Sequence, residues 1–158
     1  MVFSDPHYLS PELYQGSPLF LKLVARSDGK IPQQGEAIMM AIRREVQANQ
    51  PDLIVVTGDL SLNGERKSHE ALAEHLRQMR ITCPVYVIPG NHDICSSSAR
   101  QFLPSKIQAT ESVNASEFRT IYRDFLPAQD PENTHMSYAV EVTDRLLLVM
   151  LDVCEHGH

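Results

Sequence analysis

Three short strings bring together the carboxylate, imidazole and amide groups that a pair of divalent cations needs: Asp5-Pro6-His7, Gly58-Asp59 and Gly90-Asn91-His92-Asp93. Asp5 and His7 lie two apart, so in an extended segment both side chains point to one side and grip one ion. Asp59 follows a glycine that permits close backbone approach, and its two carboxylate oxygens can bridge two ions. Asn91 offers a neutral carbonyl oxygen to the second ion. His92 is left free to act on a substrate, and Asp93 beside it can hydrogen-bond the imidazole and fix its tautomer. Mixed oxygen and nitrogen donors suit manganese, iron or zinc rather than calcium. Two such ions turn a water into a nucleophile aimed at phosphorus. Taken singly the strings are weak, since Asp-Pro and Gly-Asp are both common in turns. His-Asp directly after an apolar run is less ordinary, and the order of all three strings is what joins them.

That order follows from the elements. Residues 1–4 read as the end of a strand, and 8–35 as mainly loop because proline and glycine recur there. A short helix fits 18–26. The spacing of Ile38, Ile42 and Val46 predicts a helix over 36–50, closed by Pro51. The run 53–57 is apolar and β-branched, as in a strand buried on both faces. A second helix covers 65–80, with Leu72, Leu76 and Met79 inward. A third strand covers 85–88. Residues 94–113 are polar and read as irregular. Asn114 and Glu117 form a capping box for a helix running to Pro127, and 138–142 with 146–152 make an antiparallel hairpin. Strands alternating with helices predict an α/β fold, a mixed sheet with parallel central strands flanked by helices. Ligands bind such sheets at the carboxyl ends of the strands, and each string directly follows one strand.

The bulk composition excludes several classes. The chain has 158 residues, one domain's worth, and is 42% hydrophobic. A net charge of −6 with no basic tract argues against stable nucleic-acid binding. Bound cations would still let an acidic protein take a phosphate substrate. Cys83, Cys95 and Cys154 have no disulfide or zinc spacing and read as free thiols. No run approaches the ~20 apolar residues of a membrane span, and no signal peptide is visible, so the expected location is cytoplasmic. His69 and His75, on the second predicted helix, read as surface or boundary residues. Arg100, shortly after the third string, is a candidate contact for a substrate phosphate.

The three strings resemble the calcineurin-like metallophosphoesterase superfamily. Its first three blocks are matched by Ser4-Asp5-Pro6-His7, Thr57-Gly58-Asp59 and Pro89-Gly90-Asn91-His92-Asp93. The insertion containing Ser10-Pro11-Glu12-Leu13, with Asn63-Gly64-Glu65 and Lys67-Ser68-His69-Glu70, is similar to a bacterial branch of phosphodiesterases and phosphohydrolases. The resemblance implies a four-layer α-β-β-α sandwich, of which residues 1–158 would be the N-terminal part of a single domain. It implies a dinuclear centre with Asp5, His7 and Asp59 on one ion and Asp59 and Asn91 on the other. His92 and Asp93 would be catalytic, and a small phosphoester, for example a cyclic nucleotide, would be the substrate. The family's later blocks, a lone His and Gly-His-x-His, are absent. His135 precedes a hairpin, and His156-Gly157-His158 is a different string. The expectation is therefore the first part of a longer enzyme, with a homo-oligomer through exposed apolar surface or a weakly occupied metal site. A signal or lipid-anchor segment could precede it in the parent. The alternatives are a nuclease of the same superfamily and an inactive fragment with an incomplete metal site.

Overall fold

The computed structural model describes residues 1–26, 29–127 and 135–154. Strands β1 (Val2–Phe3), β2 (Ile54–Thr57) and β3 (Val85–Ile88) form a parallel sheet in the order β1-β2-β3. The helices are α1 (Pro18–Val24), α2 (Gly35–Asn49), α3 (Arg66–Arg80) and α4 (Ala115–Ile121). Alternation along β2 divides the core. Ile54 and Val56 meet Met39 and Val46 of α2 and Leu72, Leu76 and Met79 of α3. Val55 points the other way, into a cluster with Ile88 and Met150. Burying each such aliphatic side chain contributes roughly 1.5–3 kcal/mol before chain entropy is counted.

Met150 belongs to the hairpin β6 (Tyr138–Thr143) and β7 (Leu146–Met150). This hairpin forms its own two-stranded sheet and covers the second face of the parallel sheet. The Tyr138 hydroxyl pins it there by donating to the Val87 carbonyl at 2.7 Å. The layers are therefore helices, parallel sheet, hairpin. Leu148 and Met150 face inward, whereas Leu147 (58%), Val149 (53%), Leu151 (68%) and Val153 (88%) leave an apolar row open to solvent.

Local signals set the helix ends. Ser17 caps α1 by accepting from the Phe20 N–H. Asn114 and Glu117 complete the expected capping box. Gln50 closes α2 in the left-handed region before Pro51. The helix expected to run to Pro127 instead stops at Ile121 and tightens into a 3-10 turn, Arg123–Phe125. The stretch expected to be irregular contains a further hairpin, β4 (Arg100–Phe102) with β5 (Ile107–Ala109). Its strands have three residues each, too short to show alternation. Phe102 packs tilted against Phe20, with ring centroids 5.2 Å apart. It joins Leu9, Leu13 and Leu62 in a satellite cluster that anchors the insertion after His7. No helix among the described residues is long and apolar enough to cross a membrane.

Candidate metal centre

Beyond their last strand residues, β1 and β2 keep pairing. The Asp5 N–H donates to the Gly58 carbonyl (3.1 Å), His7 N–H to Asp59 (3.0 Å) and Tyr8 N–H to Leu60 (3.0 Å). This ladder draws the first string against the second. The backbone is not extended there, as the spacing argument assumed. Asp5, His7 and Asp59 have φ of 51°, 39° and 47°. A left-handed conformation costs a non-glycine residue roughly 1–2 kcal/mol. Strain gathered at one spot is the signature of a functional constraint. The side chains of Asp5 and His7 thus converge through two left-handed turns, not through strand alternation.

Ligand atoms of Asp5, His7 and Asp59 all lie within 4.8 Å of one another. His7 Nε2 stands 3.9 Å from Asp5 Oδ1 and 3.7 Å from Asp59 Oδ2. These gaps are too long for hydrogen bonds. They fall within the ~4 Å that separates ligand atoms each ~2.0–2.2 Å from a shared ion. The other ring nitrogen, His7 Nδ1, is buried with no hydrogen-bond partner among the described residues. Burial, and then the Lys30 ammonium, hold the His7 imidazole below its ordinary pKa, against the opposing pull of Asp59 and Asp5. A neutral imidazole between two carboxylates is the donor set a divalent cation takes, so these residues fit the group.

The third string reaches the same rim because two glycines touch. A Cβ on Gly58 would lie 3.0 Å from the Gly90 Cα, and one on Gly90 would lie 2.2 Å from Asp59 Oδ1. Asn91 then lines a cleft of about 350 Å³ together with Asp5 and Asp59, whose opposite wall is Val149, Leu151 and Cys154. The His92 N–H donates to Asp59 Oδ1 at 3.2 Å. His92 Nδ1 lies 2.7 Å from the Leu62 carbonyl, which can only accept, so Nδ1 carries a proton and Nε2 is left for other partners. The His92 ring sits edge-on to His7, centroids 5.0 Å apart.

Two expected roles are corrected. Asp93 does not orient His92. Its carboxylate is buried and accepts from the N–H groups of Leu60 (3.0 Å), Ser61 (2.8 Å) and Gly90 (2.8 Å) and from the Ser61 hydroxyl (2.9 Å). It ties the second string to the third, and the Leu62 carbonyl does the orienting. The structure does not bring Arg100 to the cleft. Its guanidinium is held by the carbonyls of Ser97 and Ala99 at 2.8 Å each. His69, expected at the surface or its boundary, is fully buried behind the rim. Its spacing with Leu72, Leu76 and Met79 puts it on the inner face of α3, but the partners that satisfy it come from distant segments. The His135 carbonyl accepts from Arg119 at the surface. His156 and His158 lie outside the described residues.

Carboxylates and imidazoles gathered where parallel strands end define an α/β protein with a candidate metal site at its rim. Residues 1–158 match the family model for calcineurin-like phosphoesterases, and the chain belongs to that family. Family members generally use a dinuclear metal centre. The chain is similar to a probable glycerophosphodiester phosphodiesterase of Arcobacter nitrofigilis, 38% identical over 52 residues, which make up 33% of this chain and 18% of that protein. It is also similar to a probable cyclic nucleotide phosphodiesterase of Coxiella burnetii, 46% identical over 46 residues, covering 29% of this chain and 18% of that protein. A probable cyclic nucleotide phosphodiesterase of Colwellia psychrerythraea is 30% identical over 66 residues, covering 42% and 25%. The matched stretches thus cover at most a quarter of these three relatives' length.

Proposed function

We propose that this chain carries the metal-nucleating part of a phosphoester hydrolase acting on a small nucleotide-type phosphodiester, with cyclic nucleotides as the leading class. The observation that carries the reading is the convergence of Asp5, His7 and Asp59 ligand atoms within 4.8 Å on three left-handed residues. The names borne by the Coxiella and Colwellia relatives favour the nucleotide class. Asp5, His7 and Asp59 would hold one ion, and Asp59 and Asn91 the other, with manganese, iron or zinc suited to those donors. A bound ion pair supplies a nucleophile from water and neutralises charge on the phosphoryl oxygens.

The chain's own residues do the rest. His92 Nδ1–H is committed to the Leu62 carbonyl, which leaves Nε2 to exchange a proton with the leaving oxygen. The His92 N–H on Asp59 Oδ1 holds the Asp59 carboxylate in orientation. The apolar side chains of Val149 and Leu151 line one side of the cleft. Further imidazoles would complete both ion sites, from additional sequence or from a second copy docked on the exposed row of β7. Sedimentation of the chain at rising concentration tests the second source, and a strict monomer would exclude it.

Hydrolysis of bis-p-nitrophenyl phosphate with added Mn2+ tests the activity. Turnover should fall by roughly 10²–10⁴-fold in His92→Ala and disappear in Asp59→Asn. No turnover in the unsubstituted chain would instead support an inactive, incomplete metal site.

A further inference from the structure

Behind the rim lies a buried polar network that the proposed chemistry leaves unused. Ser61, His69, Asp93 and Tyr122 are all buried, and they come from four separate segments. Their protons can be assigned from chemistry alone. The Asp93 carbonyl can only accept, and it lies 3.0 Å from His69 Nε2, so Nε2 carries the proton. The same nitrogen is 3.1 Å from the Ser61 hydroxyl oxygen. His69 Nδ1 is then a lone pair and accepts from the Tyr122 hydroxyl at 2.9 Å. The Ser61 hydroxyl donates to Asp93 Oδ1 at 2.9 Å and accepts from the Gly64 N–H at 2.8 Å. A single neutral tautomer satisfies every atom.

The position of this network matters more than its satisfaction. Asp59 immediately precedes Leu60 and Ser61, while Asn91 and His92 lie between Gly90 and Asp93. Whether the donors of the second and third strings face one another depends on how these two turns sit together. The Asp93 carboxylate ties them through Leu60, Ser61 and Gly90. His69 closes the same junction from α3, holding a side chain of one turn and a main-chain carbonyl of the other with one ring nitrogen. It touches neither Asp59 nor Asn91.

We propose that His69 is a positioning residue for the metal rim, keeping the turn that carries Asp59 in register with the turn that carries Asn91 and His92. This rests on the reading of Asp59 and Asn91 as metal ligands, and the test separates the two. Three variants of the chain are compared: His69→Leu, His69→Gln and Tyr122→Phe. Glutamine can return an N–H toward Ser61 and the Asp93 carbonyl. Phenylalanine removes the hydroxyl on the far side of the imidazole and leaves the junction intact. Mn2+ binding is read by paramagnetic resonance titration, and exchange of the His92 amide proton, bonded to Asp59, is read by NMR.

His69→Leu should weaken Mn2+ binding at least roughly tenfold, the usual effect of losing a residue that orients ligands. His69→Gln should recover most of it, and Tyr122→Phe should stay within about twofold of the parent although it too loses a buried hydrogen bond. Equal Mn2+ affinity in His69→Leu and Tyr122→Phe would overturn the proposal. If the parent binds no Mn2+, the metal reading fails, and exchange decides positioning alone. Faster His92 exchange in His69→Leu but not in Tyr122→Phe supports it, and equal rates overturn it. Should His69→Leu not fold, Ser61→Ala removes the hydroxyl that His69 grips and takes its place with the same expectations.

Discussion

Gly90→Ala is the sharpest test of how the rim is assembled. A methyl group at this position would sit 2.2 Å from Asp59 Oδ1 and 2.3 Å from the Asp59 backbone nitrogen. The carboxylate could swing away, but the backbone nitrogen cannot, because Asp5, His7 and Tyr8 pair with Gly58, Asp59 and Leu60 on its other side. The third string must therefore back off from the second. Overpacking of this kind costs about 1–3 kcal/mol, and loss of the His92 N–H bond to the Asp59 carboxylate adds about 1.5–3 kcal/mol. The sum, about 2.5–6 kcal/mol, is a large share of the 5–15 kcal/mol that stabilises an ordinary domain. Gly16→Ala is the control. Gly16 has φ of 76° and no neighbour within 4 Å of the added Cβ, so it should cost only the left-handed penalty of about 1–2 kcal/mol. Urea unfolding followed by circular dichroism measures both. If Gly90→Ala unfolds within 1 kcal/mol of the parent, or no lower than Gly16→Ala, the close approach of the two strings does not hold the rim together.

Two further outcomes follow from buried carboxyl groups. Asp93→Asn should cost about 1–3 kcal/mol for each donor left unsatisfied, read in the same unfolding assay, because one amide oxygen cannot replace two carboxylate oxygens that accept from four donors at a buried site. A merely catalytic Asp93 would leave stability untouched. Glu65 is buried, its Oε1 lacks a partner among the described residues, and desolvation raises its pKa above the ordinary carboxyl value. The folded state then holds this proton more tightly than the unfolded chain does. Its stabilising contribution is full below the unfolded pKa and is lost as pH rises through the folded one. Glu65→Gln should remove that decline between acidic and neutral pH, and an unchanged slope in urea midpoints against pH would refute the assignment.

Much of this protein was legible before any coordinates. Apolar runs of four or five residues, helices with inward residues three or four apart, and the Asn114–Glu117 box are local signals, and the strands and helices fall where they indicate. The three metal-ligand strings declared their chemistry through residue type, and parallel pairing of the strands before them brings them to one rim. The short β4–β5 hairpin escaped because three residues a side are too few to show a period. The roles of Asp93 and His69 escaped for a deeper reason. Neighbours in sequence suggested that Asp93 serves His92, yet a carboxylate goes to whichever donors surround it once water is gone, and those are backbone N–H groups of Leu60 and Ser61 in another turn and of Gly90 in its own. His69 is likewise surrounded by residues 8, 24 and 53 positions away. Sequence alone determined which atoms could bind a metal. Tertiary structure decided which side chains face the candidate site and which hold the frame, because most buried polar groups must find a partner and only the fold says which partners are near.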